Sequence, residues 1–93
     1  MKFIKILVVE DNRLILSMMQ RMFTAVGCKV DIATNAKEAI YCVIKNEYQL
    51  IVTDIGLPDA DGVELVDEIR SLEKQKNCMS AYICGVTAFD IEL

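Results

Sequence analysis

The sequence predicts an α/β domain built on a doubly wound parallel β-sheet. Short apolar runs of strand length alternate with stretches in which apolar residues recur at helical spacing, in the order β-α-β-α-β-α-β. The chain has 93 residues, of which 54% are hydrophobic, so it is long enough for one small core and too apolar for a disordered chain. We therefore expect residues 1–93 to form a single domain.

The first half of the chain contains two predicted strands and two predicted helices. Residues 6–9 form an apolar run that predicts a strand buried on both faces. Residues 14–26 have helical periodicity, and Gly27 suits the left-handed position after a helix end. Residues 28–33 alternate like a half-exposed edge strand, and Asn35 is the predicted N-cap of the second helix. The predicted inner faces are Ile15, Met19, Met22, Phe23 and Val26 for the first helix, and Ala36, Ala39, Ile40, Val43 and Ile44 for the second.

The second half repeats this alternation. Residues 50–53 predict another buried strand, which ends at Asp54, and residues 55–61 predict a loop because they hold the only proline and two aspartates. A third helix follows, then a polar connection over residues 73–80 and a fourth apolar strand over residues 81–86. The predicted inner face of the third helix is Val63, Leu65, Val66, Ile69 and Leu72.

Four oxygen-bearing side chains lie at predicted strand ends. Glu10 and Asp11 follow the first strand, Asp54 ends the third, and Thr87 follows the fourth. The carboxyl ends of parallel strands meet at one edge of the sheet, so these carboxylates should repel one another unless a cation lies between them. A ligand set of oxygen atoms alone favours Mg²⁺. Beside such an ion Asp54 can act as a nucleophile toward a phosphoryl group, to which Thr87 can donate a hydrogen bond.

Simpler interpretations exist for each residue taken singly. Glu10 or Asp11 could cap the first helix, Asp54 could be an ordinary turn residue, and Thr87 could reflect strand propensity alone. Three competing motifs fail on detail. Residues 59–68 match only part of a calcium-binding loop, no G-x-G-x-x-G follows the first strand, and the second aspartate of dehalogenase-type phosphohydrolases is missing after Asp54.

Composition excludes several other classes. The net charge is −4 and the basic residues are scattered, so we expect no direct contact with nucleic acid. The chain has no histidine, which removes the commonest zinc ligand and proton shuttle. Its four cysteines form no C-x-x-C pair and predict reduced core residues of a cytoplasmic protein. No apolar run is long enough for a membrane span, so we expect no membrane contact in this segment.

Three motifs together resemble the receiver domain of two-component response regulators and hybrid sensor histidine kinases. They are I-L-V-V-E-D-N at residues 6–12, D-I-G-L-P-D-A-D-G at 54–62 and G-V-T-A at 85–88. The resemblance implies a flavodoxin-like fold with strand order 2-1-3-4. It also implies that a histidine kinase or a histidine phosphotransfer protein donates a phosphoryl group to Asp54, with Thr87 as the switch hydroxyl. Mg²⁺ would be held by Glu10, Asp11, Asp54 and the backbone carbonyl of Gly56. Such a domain accepts a phosphoryl group and is not by itself a turnover enzyme.

The sequence departs from the family pattern at its end. Members normally continue through a fifth strand, which ends in a lysine, and a fifth helix, so we expect the domain to be C-terminally incomplete. The apolar fourth strand would then be uncovered, together with a helix-one flank of Leu14, Met18 and Ala25, and a homodimer through that strand would cover it. Two alternative functions stay open: an interaction domain that is never phosphorylated, and a small Mg²⁺-dependent phosphohydrolase.

Overall fold

The computed structural model describes residues 3–86. Within them the chain alternates regularly between strands and helices, as the sequence predicts. The elements are β1 (Lys5–Val9), α1 (Arg13–Ala25), β2 (Lys29–Ala33), α2 (Ala36–Lys45), β3 (Leu50–Asp54), α3 (Gly62–Lys76) and β4 (Tyr82–Val86). The strands form one parallel sheet in the order β2-β1-β3-β4. The predicted doubly wound sheet and its strand order 2-1-3-4 are confirmed.

The sheet separates two apolar clusters because successive side chains of a strand point to opposite faces. On one face, Leu7, Val9 and Ile51 pack against α2 and α3. On the other, Ile6, Val8 and Val52 pack with Leu16 of α1. The central strands β1 and β3 are therefore buried on both sides, which explains why they read as continuous apolar runs. Edge strand β2 is half-exposed, as predicted, but it does not alternate regularly: Ile32 is exposed and only Ala33 is buried.

Helix α1 packs on the sheet with only part of its predicted inner face. Its buried residue is Leu16, supported by the partly buried Met19 and Phe23. Met22 and Val26, predicted to face the core, are 63% and 76% exposed. The prediction was wrong for these two residues because α1 carries apolar residues on more than one side, so periodicity alone cannot select the side that meets the sheet. The predicted flank is exposed, with Leu14 at 72% and Met18 at 55%.

Smaller corrections concern α2 and α3. Asn35 is the N-cap of α2, as predicted, but Ile44 is exposed rather than part of the inner face. Val63 at the start of α3 is also exposed, whereas Leu65 and Ile69 are buried. Helix α3 continues to Lys76, through the first residues of the predicted polar connection. It ends at Asn77 in the left-handed conformation with φ 54°.

Glu73 explains the longer third helix. It is only 5% exposed, and its carboxylate accepts hydrogen bonds from Arg70 at 2.6 Å and from the backbone N–H of Ala81 at 2.6 Å. A buried carboxylate that is paired in this way stabilises the last turn of α3 and fixes the entry of the chain into β4. A polar residue can thus be part of the core, which the hydrophobic pattern could not indicate.

Strand β4 lies at one edge of the sheet formed by residues 3–86, where only β3 pairs with it. Tyr82 is 75% exposed and Cys84 is also exposed. All four cysteines are free, but Cys84 is at the surface and the other three are only half-buried, so the prediction of core cysteines was too strong. In the part of the chain described here, no helix has the length and hydrophobicity to cross a bilayer.

Candidate metal and phosphoacceptor site

The carboxylates of Glu10, Asp11 and Asp54 converge at the carboxyl edge of the sheet. One ligand oxygen from each lies within 4.8 Å of the others. Glu10 and Asp54 are 1% and 5% exposed, whereas Asp11 is exposed to solvent. The cluster forms because Glu10 directly follows β1 and Asp54 ends the neighbouring strand β3, which runs parallel to it. The predicted convergence of these three residues is therefore found in the structure.

None of the three carboxylates caps a helix. The N-cap of α1 is Asn12, whose side-chain oxygen accepts hydrogen bonds from the N–H groups of Leu14 at 3.0 Å and Ile15 at 3.1 Å. Glu10 instead accepts a hydrogen bond from the backbone N–H of Asn12 at 3.0 Å. The interpretation of Glu10 or Asp11 as a cap is therefore wrong, and their carboxylates remain in the acidic cluster.

The electrostatics of the cluster favour a cation. Burial raises the pKa of Glu10 above its ordinary value of 4.5, and the negative charge of Asp54 raises it further, against the opposing hydrogen bond from Asn12. The donor atoms are all oxygens, and exposed Asp11 leaves the cluster open to solvent. Oxygen donors with negative charge and access to water fit Mg²⁺, which binds through one or two carboxylates and keeps several waters. The residues present therefore fit the predicted metal.

Gly56 lies two residues beyond Asp54, in the loop between β3 and α3. Its backbone N–H donates a hydrogen bond to Oδ1 of Asp54 at 3.1 Å, which orients the carboxylate. The role of its carbonyl as a metal ligand stays a prediction. Thr87 lies outside the described residues. Its neighbour in the chain, Val86, is the β4 residue paired with Asp54, and the N–H of Ile55 donates to the Val86 carbonyl at 2.9 Å.

The loop over residues 55–61 is closed on itself and leads into α3. The N–H of Gly62 donates to the carbonyl of Ile55 at 2.9 Å, and Gly56 forms an isolated antiparallel bridge with Asp61. A Cβ atom on Gly62 would lie 3.2 Å from the Ile55 Cα, a tight contact that favours glycine at this close approach. Asp61 caps α3 by accepting from the N–H of Glu64 at 2.8 Å.

Asp59 connects the loop over residues 55–61 to α2, and the sequence does not reveal this contact. Its carboxylate accepts from the first two N–H groups of α2, those of Ala36 at 2.8 Å and Lys37 at 3.0 Å. Asp59 and Asp61 thus act as helix caps, which agrees with the rejection of a calcium-binding loop. An aspartate in a loop is common, and no signal in the sequence indicates that this one reaches a helix more than twenty residues earlier.

Comparison with known proteins identifies the family. Residues 6–90 match the family model of the response regulator receiver domain. The chain is 37% identical over 82 residues to histidine kinase 5 of Arabidopsis thaliana, an alignment that covers 88% of this chain and 9% of the kinase. It is 39% identical over 67 residues to the transcriptional regulatory protein PhoP of Escherichia coli, covering 72% of this chain and 30% of PhoP. The chain therefore belongs to the response regulator receiver domain family.

A solved structure of the same family agrees with this assignment. The response regulator TrrA from Thermotoga maritima, solved in complex with Mg²⁺-BeF, superposes with a TM-score of 0.79 at 32% identity. The superposition covers 94% of this chain and 71% of TrrA. The chain spans less than a tenth of the length of the first three curated relatives, with 9%, 4% and 7% of their residues.

A second solved structure contains a partner protein. The receiver domain of Ssk1 from Saccharomyces cerevisiae was crystallised with the histidine phosphotransfer protein Ypd1. It superposes with a TM-score of 0.77 at 27% identity, covering 91% of this chain and 62% of the other.

Proposed function

We propose that this receiver domain accepts a phosphoryl group on Asp54 in a Mg²⁺-dependent phosphorelay. The observation that carries the proposal is the convergence of Glu10, Asp11 and Asp54 within 4.8 Å at the carboxyl edge of the sheet. These three carboxylates and the Gly56 carbonyl would hold Mg²⁺, which would supply positive charge that offsets the charge of the transferring oxygens. In TrrA the bound group is Mg²⁺-BeF, which supports the same chemistry here.

The reaction assigns a separate task to each residue. A carboxylate oxygen of Asp54 attacks the phosphorus of a phosphohistidine, a P–O bond forms while the P–N bond breaks, and the imidazole leaves. The N–H of Gly56 holds the second oxygen of the Asp54 carboxylate in place, since it donates a hydrogen bond to Oδ1 at 3.1 Å. Thr87 donates a hydrogen bond to the transferred group and acts as the switch hydroxyl. The 93 residues contain no histidine, so the phosphohistidine that donates the group lies outside this sequence.

The proposed donor is a histidine kinase or a histidine phosphotransfer protein. The Ypd1 complex of a related receiver domain supports the second class, and the histidine kinases among the relatives support the first. The proposed location is the cytoplasm, where the four free cysteines would remain reduced. Cell fractionation tests the location, and recovery in an oxidising compartment would contradict it.

Labelling with a small phosphodonor tests the function directly. The 93-residue chain is incubated with acetyl phosphate, with and without Mg²⁺, and intact mass is measured together with hydroxylamine sensitivity, which is diagnostic of an acyl phosphate. We expect Mg²⁺-dependent addition of one phosphoryl group that Asp54→Asn abolishes. Asp67→Asn is the matched control, because Asp67 is an exposed aspartate of α3 outside the cluster. Equal labelling of Asp54→Asn would overturn the proposal.

Homodimer formation through β4 stays a prediction and has its own test. On one side β4 pairs with β3, and no other strand of residues 3–86 lies beyond it. A second copy of β4 could satisfy the backbone groups on that side. Sedimentation velocity over a concentration series should show a dimer, and a stable monomer at the highest concentration would contradict the prediction.

A further inference from the structure

The loop that carries Gly56 is attached to both neighbouring helices. On the α3 side, the Ile55 carbonyl accepts from the N–H of Gly62 and the Asp61 carboxylate caps the helix. On the α2 side, the described contact is the carboxylate of Asp59, which accepts from Ala36 and Lys37. Gly56 lies between these attachments, so the position of its main chain depends on both of them.

The contact between Asp59 and α2 is well suited to hold the loop. The first four N–H groups of a helix have no partner within the helix, and they carry the positive end of the helix dipole. Asp59 uses both oxygens on two of these groups, which fixes the orientation of the carboxylate as well as its distance. These hydrogen bonds lower the pKa of Asp59 below its ordinary value of 3.8. The carboxylate is therefore charged, and the contact complete, at neutral pH.

The same helix end contains a second cap that does not involve the loop. Asn35 accepts a hydrogen bond from the N–H of Glu38 at 2.8 Å. Asn35 thus stabilises α2 locally, whereas Asp59 stabilises α2 and at the same time connects it to the loop beside Asp54. The two caps allow stabilisation of the helix to be separated from positioning of the loop.

We propose that Asp59 is a positioning residue of the metal site, which fixes the main chain at Gly56 by anchoring the loop to the N-terminus of α2. The inference rests on the proposed function, in which the Gly56 carbonyl is a ligand of Mg²⁺. A loop that is already ordered loses less conformational entropy when the ion binds, so the anchor raises the affinity of the site. By reciprocity, occupation of the site strengthens the contact of Asp59 with α2.

The affinity for Mg²⁺ tests the first consequence. Isothermal titration calorimetry on the full chain compares the wild type with Asp59→Ala, Asp59→Asn and Asn35→Ala, each verified as folded by circular dichroism. We expect Asp59→Ala to weaken Mg²⁺ binding by about 2- to 30-fold, the range typical of such couplings. The affinity of Asp59→Asn for Mg²⁺ should lie between those of the wild type and Asp59→Ala, since its amide offers one acceptor oxygen instead of two. Asn35→Ala should destabilise the protein and leave the affinity within about twofold of wild type, because the loop keeps its anchor.

Hydrogen exchange tests the second consequence, first on the wild type and then on Asp59→Asn. In the wild type, Mg²⁺ should slow exchange of the Ala36 and Lys37 amides more than that of Glu38, which is bonded to Asn35. In Asp59→Asn the effect of Mg²⁺ on the first two amides should be reduced. Equal slowing at all three positions would overturn the inference.

The outcomes separate the inference from the proposed function. If the wild type does not bind Mg²⁺, the proposed function fails and the inference fails with it. If the wild type binds Mg²⁺ and Asp59→Ala binds it as tightly as Asn35→Ala does, Asp59 is only a helix cap and the inference alone is overturned. Loss of affinity confined to the Asp59 variants supports it.

Discussion

The substitution Asp54→Asn should make the metal-free protein more stable. Asp54 is 5% exposed and its carboxylate lies within 4.8 Å of those of Glu10 and Asp11. The substitution removes one negative charge of the cluster with little change of shape. The amide oxygen of the introduced asparagine can still accept the hydrogen bond from the N–H of Gly56, so the contact that orients residue 54 is kept. The main change is therefore electrostatic.

The size of the effect follows from the separation of the charges. Two unit charges 4.8 Å apart repel by about 1 kcal/mol at the dielectric constant of water and by about 3.5 kcal/mol at an effective value near 20. Asp54 faces two such charges, but Asp11 is exposed and its charge is screened by solvent. We expect the free energy of unfolding to rise by about 1–3 kcal/mol.

Urea denaturation followed by circular dichroism measures this difference. At neutral pH with EDTA, Asp54→Asn should unfold at a higher urea concentration than the wild type. Saturating Mg²⁺ should remove most of the advantage, because the ion stabilises the wild-type cluster by binding it. Asp67→Asn, which removes one exposed charge elsewhere, corrects for the change in net charge. An Asp54→Asn variant no more stable than Asp67→Asn in EDTA would refute the reasoning.

Three further predictions concern stability. Glu73→Ala should lower the free energy of unfolding by about 2–4 kcal/mol, since it leaves the buried N–H of Ala81 and the side chain of Arg70 without their acceptor. Thermal melting measures this loss, and a loss no larger than that of an ordinary surface substitution would contradict the prediction. Ile69→Ala should cost about 2–5 kcal/mol in urea denaturation because Ile69 is fully buried, whereas Val63→Ala at 71% exposure should cost less than about 0.5 kcal/mol; similar losses would show that the assigned core is wrong. The pKa of Glu38 is lowered from 4.5 by hydrogen bonds from the N–H and hydroxyl of Thr34, so the stability it contributes is present above pH 4.5 and is lost as the pH falls through the lowered value. The difference in stability between wild type and Glu38→Gln should therefore shrink with acidification, and a constant difference over this range would exclude the assigned hydrogen bonds.

The candidate site could be predicted from the sequence because it depends on strand ends. Glu10, Asp11 and Asp54 each follow or end an apolar run, and parallel strands bring such positions to one edge whatever the details of packing. The strand order 2-1-3-4, in contrast, follows only from the family resemblance, because the strand-end rule does not say which strands are neighbours. The strand-end rule also selects Thr87, whose role stays a prediction because Thr87 lies outside the residues that the structure describes.

The helix faces were harder to predict, and the errors share one cause. Met22 was assigned to the core in place of Leu16, and Glu73 to a polar connection in place of the last turn of α3. A hydrophobic pattern indicates that a helix has a face buried in the core. It cannot select that face in α1, which has apolar residues on several sides, and it cannot indicate that Glu73 is buried through its hydrogen bonds. Both outcomes depend on neighbours that are distant in the sequence.

The sequence by itself determined the alternation of strands and helices, the parallel sheet and the position of the acidic cluster, because these follow from local periodicity and from the geometry of strand ends. Only the tertiary structure decided which side of α1 meets the sheet, how Glu73 joins α3 to β4, and that Asp59 holds the N-terminus of α2. The physical reason is that a side-chain hydrogen bond or a packed face requires a partner in space. Asp59 lies 23 residues from Ala36, and its sequence neighbours carry no information about that distance.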